Sequence, residues 1–272
     1  MFKRKLKITQ IKKNQKEEKF DTVLVEKPMN LYLNEKHLVT IICLPTDLKE
    51  LAIGFLFSIG LIEHLNQINV VKVKNEDKCE VYIDLAEEVS LSSQDMKMKS
   101  MGRVIETACG ITSPWRDIIK KTIGPQKKEL GQYKTKISNN LIYNSLKKLQ
   151  TDTTLFRETG GCHGAALFDY EGNLLSIKED IGRHNAIDKV LGEHLLKNME
   201  PNFQQIFLTS TGRLTGDSVL KAIRAGVEVM ASVSAPIESG IKLAYSYNLT
   251  LIGFVRGKRM NIYTHPERVI LD

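Results

Sequence analysis

Apolar and polar positions alternate with a period of two through much of the first 85 residues, and segments 20–26, 30–33 and 37–44 read as short strands around a turn at Asn34-Glu35. The period then changes. Leu48, Leu51, Ala52, Phe55, Leu56 and Ile59 recur at helical spacing behind Thr46-Asp47-Leu48-Lys49-Glu50. An Asp followed three residues later by an acid predicts a capped helix start, and Gly60 predicts its end. Segments 70–73 and 80–85 return to the strand pattern. From about 90 to 136 the periodicity fades into Ser, Gly, Lys and Met. A stretch of that length without clear elements is either functional or disordered.

The second half alternates regularly. It reads as a helix at 139–150, a hairpin of 164–169 and 174–177 around Glu171-Gly172-Asn173, and a helix at 184–197. A strand at 205–209, a helix at 214–225, a strand at 227–233, a helix at 238–247 and a strand at 249–255 follow. This order predicts an α/β three-layer sandwich with a mixed sheet, because right-handed crossovers place helices on its faces. At 272 residues the chain is long enough for two unequal units. These are a small α+β unit with a basic tail at 1–108, a mobile loop or connector at 109–136, and a cofactor-binding domain at 137–272.

The formal net charge of +7 suggests a nucleic-acid partner until it is located. Residues 1–20 hold eight Lys/Arg against two Glu, so nearly all of the excess lies in that tail. No basic stripe remains elsewhere, and nucleic-acid binding is not expected. The tail reads as a solvated, partly disordered arm. It lacks the apolar core of a signal peptide, and no later run reaches membrane-spanning length, so a cytoplasmic protein without a membrane partner is expected. Cys43, Cys79, Cys109 and Cys162 are scattered without CxxC spacing, which argues against a disulfide framework and a structural zinc site. Cys43 and Cys79, in or beside strands, read as packing or surface residues.

Several clusters could carry chemistry. Glu179-Asp180-Ile181-Gly182-Arg183-His184-Asn185-Ala186-Ile187-Asp188-Lys189 sets acids, a glycine, a cation and an imidazole at a helix start, where free N–H groups suit a phosphate. Arg183, His184 and Asn185 are candidates for ligand contact. Asp188 is a candidate for the N1/N2 edge of a guanine, or alternatively an acid that offsets the helix dipole. Gly160-Gly161 permits close backbone approach, and His163 has the chemistry to donate to an oxyanion or act as a base, although a histidine at a strand entrance often only binds a carbonyl. Thr209-Ser210-Thr211-Gly212-Arg213 is another strand-to-helix turn fit for a phosphate, with Gly212 and Arg213 as its candidates. Arg256-Gly257-Lys258-Arg259 sets three cations about a glycine directly after the apolar Phe254-Val255; a solvated turn is the alternative. Cys109, in Glu106-Thr107-Ala108-Cys109-Gly110-Ile111-Thr112, has small neighbours and cations along its loop at Lys97, Lys99, Arg103 and Arg116. Such surroundings favour a reactive thiolate. Cys162 reads as a packed residue, with service as a second sulfur carrier as its alternative.

Three of these motifs, in this order along the chain and together with Cys109, resemble the formate dehydrogenase accessory sulfurtransferases of the FdhD/NarQ family. They are Arg157-Glu158-Thr159-Gly160-Gly161-Cys162-His163-Gly164, the stretch 179–189, and Phe254-Val255-Arg256-Gly257-Lys258-Arg259. The resemblance covers most of residues 22–268. It implies a cytidine-deaminase-like fold, although the His-x-Glu and Pro-Cys-x-x-Cys zinc signature of the deaminases is absent. It also implies that Cys109 carries a persulfide from a cysteine desulfurase to a molybdenum or tungsten bis-molybdopterin guanine dinucleotide destined for formate dehydrogenase. GDP or GTP should mimic that cargo, and a homodimer is expected. Two departures stand out. Leu44 occupies a position where the family has Thr, and Thr112 stands at the family's second loop cysteine, which rules out hand-over within a CxxC pair. A non-catalytic cofactor chaperone is therefore the alternative, followed by a nucleotide hydrolase or deaminase-like enzyme.

Overall fold

The structure is a computed structural model that describes residues 2–75, 77–86, 104–105, 136–198 and 202–272. The basic tail is ordered in it, contrary to the expectation of a disordered arm. Strand β1 (Lys3–Lys12) pairs antiparallel with β2 (Gln15–Leu24) along ten residues each. Lys13 and Asn14 turn the chain with φ of 47° and 63°, the backbone of a tight hairpin turn. Net charge misleads here because the ladder separates it: Glu17 and Glu18 face Gln10 and Thr9, and Lys7 reaches Glu18 diagonally.

β3 (Lys27–Leu33) and β4 (Lys36–Cys43) form a second hairpin through Asn34 and Glu35, also at positive φ. With β5 (Ile68–Asn75), β6 (Glu80–Leu85) and β7 (Val104–Ile105) they make a five-stranded sheet in the order β5-β6-β3-β4-β7. Helix α1 (Leu48–Ser58) stops at Gly60, whose φ of 78° suits a glycine. Its expected N-terminal capping box is not formed. Asp47 is left-handed, and its carboxylate instead takes Lys178 at 2.6 Å.

After β8 (Ile137–Ser138) come α2 (Asn139–Asp152), capped by the Ser138 hydroxyl, and the short α3 (Thr154–Thr159), which was not foreseen. The six strands β9 (His163–Asp169), β10 (Leu174–Asp180), β11 (Ile206–Ser210), β12 (Val229–Ser232), β13 (Thr250–Arg256) and β14 (Arg259–Ile262) form one mixed sheet in the order β10-β9-β11-β12-β13-β14. Strand β15 (Val269–Ile270) closes on β8. Alternate residues decide the layers. Ala165, Leu167, Leu208, Met230 and Leu251 pack under α4 (Arg183–Lys197), α5 (Gly216–Ala225) and α6 (Glu238–Ser246), whereas Ala166, Phe168, Phe207, Val229 and Ile252 pack against α2. The mixed α/β layering is thus present, with all three crossover helices on one face.

One core runs through both halves, from the β3–β6 sheet across α1 to α4 and the larger sheet. Helices α1 and α4 meet backbone to backbone. A Cβ on Gly54 would lie 1.8 Å from the Asp188 carbonyl oxygen, and one on Gly192 would lie 1.9 Å from that of Glu50. The boundary expected at 108/109, and the connector 109–136 apart from Lys136, lie outside the described residues.

Candidate functional site

Strands β11, β12 and β13 run parallel; β9 is antiparallel to β11 and to β10. Strands β10 to β13 apart from β9 therefore end at one edge, and β9 begins there. Polar groups gather at this edge because strand polarity delivers each strand-to-helix turn to the same side, the usual ligand crevice of an open α/β sheet. From β9 come His163 and Gly164. The turn after β11 brings Ser210, Thr211, Gly212 and Arg213. From β12 and β13 come Ser232, Ser234 and Phe254, and Gly182, Arg183 and His184 open α4.

Short hydrogen bonds fix these turns. The Thr211 N–H donates to the Gly164 carbonyl at 2.9 Å, the Gly164 N–H donates back to Thr211 Oγ1 at 3.0 Å, and His163 Nδ1 lies 3.3 Å from the same hydroxyl. The Gly212 N–H donates to Ser210 Oγ, and Ser232 Oγ donates to the Gly212 carbonyl at 2.7 Å. The Phe254 N–H donates to the Ser234 carbonyl at 3.0 Å. Gly212 is required by Arg183: a Cβ there would stand 2.7 Å from the arginine Cβ. His184 is buried, with Nδ1 3.3 Å from Ser218 Oγ. Ser218 and Ser232 were not singled out from sequence. Their signal was the position of Ser218 three residues after the Thr215 cap, and of Ser232 at the end of an apolar strand.

The edge is electropositive. Burial, then the charges of Arg183 and Arg213, hold the His163 imidazole below its ordinary value, against the pull of Asp180, its cross-strand partner. His163 is therefore neutral at neutral pH, able to donate from one nitrogen and accept at the other. Arg213 is exposed. Arg256, Gly257, Lys258 and Arg259 form the exposed β13–β14 turn, with Gly257 at φ 59° and the Lys258 carbonyl accepting from Tyr143 of α2 at 2.9 Å. Ile252 pairs with Ala231 and β12 ends at Ser232, so Arg256 stands past that end, beyond an irregular step at Phe254, whose φ is 54°. Gly160 ends α3 at φ 65°, and Gly161 faces Leu24 of β2.

Three candidates are placed elsewhere. Asp188 does not face a ligand: it is 2% exposed, both oxygens take Lys221 Nζ at 2.6 Å, and Oδ1 also accepts from Ser58. Burial pushes its carboxyl up while Lys221 and Ser58 pull against that shift. A guanine-reading role for Asp188 is thereby corrected to an internal ion pair between α4, α5 and α1. Asn185 spends its amide N–H groups on the Ile42 carbonyl and on Asp180, so it ties α4 to β4. Val255 is buried in the core beneath α2. Asp180 and Lys189 form a second, fully buried pair at 2.8 Å, and Lys189 also donates to the Leu44 carbonyl.

Cys109 and Thr112, with Lys97, Lys99, Arg103 and Arg116, lie outside the described residues. The other three cysteines are buried. Burial, with Glu179 and its hydrogen bond at 3.5 Å, pushes the Cys162 thiol up to about 12, and burial likewise raises Cys43 and Cys79. Among the described residues no group of three His, Cys, Asp or Glu is arranged to hold a metal, and no helix is long and apolar enough to cross a membrane.

Comparison with known proteins gives a consistent outcome. The model of the FdhD/NarQ family matches residues 24–270. A protein named sulfur carrier protein FdhD from Sulfolobus acidocaldarius is 35% identical over 268 residues, covering 98% of this chain and 99% of its own. One of the same name from Bacillus subtilis is 36% identical over 249 residues, covering 92% and 90%. Among solved structures, a putative formate dehydrogenase accessory protein from Desulfotalea psychrophila superimposes with a TM-score of 0.75 at 25% identity, covering 99% of this chain and 100% of that one.

Proposed function

Because the chain belongs to the FdhD/NarQ family, we propose that it is a sulfur carrier serving formate dehydrogenase and that the sulfur travels as a persulfide on Cys109. One observation carries the choice of residue. Sulfur transfer needs a thiolate, and Cys43, Cys79 and Cys162 are buried with raised pKa, so they remain thiols at neutral pH. Cys109 is the remaining cysteine of the chain. Its thiolate attacks the outer sulfur of a donor persulfide, the donor S–S bond breaks, and the donor cysteine leaves as a thiolate. A cysteine desulfurase supplies such a donor.

The cargo that would receive this sulfur is a molybdenum or tungsten bis-molybdopterin guanine dinucleotide. The cationic sheet edge supports that part of the reading. Arg183 and Arg213 flank the Gly212 turn, neutral His163 offers a hydrogen bond, and Arg256, Lys258 and Arg259 extend the charge outward, a set matched to pyrophosphate. GDP or GTP should bind there through its phosphates. On this reading the sandwich is cytidine-deaminase-like in architecture without deaminase chemistry, and the protein works in the cytoplasm as a homodimer.

Intact-mass measurement after incubation with a desulfurase and cysteine tests the proposal. Wild type and Cys162→Ser should gain sulfur, and Cys109→Ala should not, while all three bind GDP alike. Loading of Cys109→Ala, or full activation of formate dehydrogenase by it, would reject the carrier assignment. Thr112, where the family has a second cysteine, would then be read as the mark of a cofactor chaperone.

A further inference from the structure

The β1–β2 arm has no part in the reaction above, and its order needs a cause. A two-stranded hairpin alone in water is marginally stable. Among the described residues, no strand other than β2 pairs with β1. Direct partners in an antiparallel ladder share a face, which sets Lys5, Lys7, Ile11, Lys16 and Phe20 together on one side with Glu18, which pairs with Lys7. Ile11 is 68% exposed and Phe20 70%. The arm is thus an open strand edge beside a face of cations and uncovered apolar side chains. At its base the same face continues onto the body of the protein: Lys3 pairs with Glu158 of α3, and a Cβ on Gly161 would lie 3.5 Å from Leu24 Cδ1. Helix α3 packs on β2, and β2 carries Glu17, Glu18 and Asp21. Strand β1 carries Lys3, Arg4, Lys5, Lys7 and Lys12 and no acid, so its outer edge is the one that suits an acidic strand.

We propose that the outer edge of β1 docks an acidic, extended segment of a partner protein as a third strand. The backbone selects a polypeptide, because its outward N–H and C=O groups find full partners only in another strand. Charge selects the kind of polypeptide. Eight Lys/Arg against two Glu in residues 1–20 repel a second copy of the arm and attract acids. Acidic side chains on one face of the added strand would lie beside Lys5 and Lys7, and its apolar ones, on the opposite face, beside Leu6 and Ile8. A segment bound this way would run toward Gly161, at the rim of the sheet-edge site.

The test uses the full-length protein and a labelled ten-residue peptide of alternating Glu and Val, followed by fluorescence anisotropy. The peptide should bind, lose about tenfold in affinity between roughly 50 and 300 mM salt, and bind at least about tenfold more weakly to Lys5→Glu/Lys7→Glu. A peptide N-methylated at every residue, which can donate along neither edge, should also fail. Leu6→Ser/Ile8→Ser should weaken binding several-fold with Cys109 loading unchanged. The proposal is overturned if the N-methylated peptide binds as well as its parent, if the charge-reversed protein binds equally, or if duplex DNA or anionic vesicles bind the arm more tightly than the peptide.

Discussion

Arg183 and Asp188 lie less than two turns apart on α4, both charged and both part of one polar motif, yet they work in opposite surroundings. Arg183 stands at the sheet edge against Gly212, where its charge adds to burial in lowering the pKa of His163. Asp188 is enclosed with Lys221 and Ser58 where α1, α4 and α5 meet. The difference teaches that a run of polar residues at a helix start can be two devices at once. The first residues serve the ligand edge, and those on the inward stripe hold the two halves of the chain together. Asp180 shows the division in one carboxylate: Oδ1 fixes the Gly182 N–H at the helix start, and Oδ2 takes the Leu44 N–H of the first half and Lys189.

Removing one partner of the inner pair should have the largest effect. Lys221→Met leaves Asp188 buried without its cation, a change that costs about 3–5 kcal/mol in comparable sites. Urea unfolding should register that loss, and adding Asp188→Leu should recover most of it because the uncompensated charge is gone. Arg213→Ala, at the edge, should move stability by less than about 0.5 kcal/mol while weakening GDP. Equal destabilisation by Lys221→Met and Arg213→Ala would erase the distinction between the two regions.

The helix crossing comes next. In Gly54→Ala the new methyl meets the Asp188 carbonyl at 1.8 Å, and rigid backbone stands on both sides, so the helices must part. Overpacking of this kind costs about 1–3 kcal/mol, occasionally more. The comparison at the site is Gly212→Ala, whose methyl meets the Arg183 side chain. The nearest atom is the arginine Cβ at 2.7 Å, which no rotamer moves, so the start of α4 must shift and stability should fall, though by less than in Gly54→Ala. Displacing its guanidinium should weaken GDP about tenfold, or ~1.4 kcal/mol. Calorimetry with GDP and thermal unfolding on both variants would separate the two effects, and a Gly212→Ala protein with wild-type affinity would remove Arg183 from the site.

Much of this was legible in the sequence, and the losses have physical reasons. The strand 80–85 and the second-half alternation are where the periodicity put them, because apolar runs between Gly and polar turns leave few other foldings. The convergence of His163, Arg183 and Arg213 was legible from their places at strand and helix ends, since topology alone brings such turns to one edge. The direction of Asp188 was also legible but was not used: it lies at helical spacing with His184, Leu191 and Leu195, and that stripe is buried. Helix α3 is six residues long, too short to display a period. The β1–β2 hairpin was hidden by its net charge, which says nothing about how charges are distributed across a ladder. Cys109 was reached through a motif, and its surroundings lie outside the described residues.

The smallest expected effect is a matter of protons at His163. Its folded pKa lies below the ordinary 6.5, because of burial and then of Arg183 and Arg213. Between that lowered value and 6.5 the unfolded chain holds a proton that the folded one does not, so stability should fall as pH drops through 6.5 and level off below the folded value. His194, lowered mainly by burial beside Phe203, adds a slope of the same sign that His163→Gln leaves in place. The two are separated by ligand. A phosphate at the edge offsets the arginine charges and favours the imidazolium of His163, whereas His194 packs at the far end of α4 and should be insensitive. GDP binding should therefore take up protons below pH 6.5 and be tighter there than at pH 7.5, and His163→Gln should abolish both. Calorimetry in buffers of different ionisation enthalpy reads the proton directly. Proton uptake that persists in His163→Gln would move the phosphates away from β9 and return the imidazole to the ordinary role of binding Thr211.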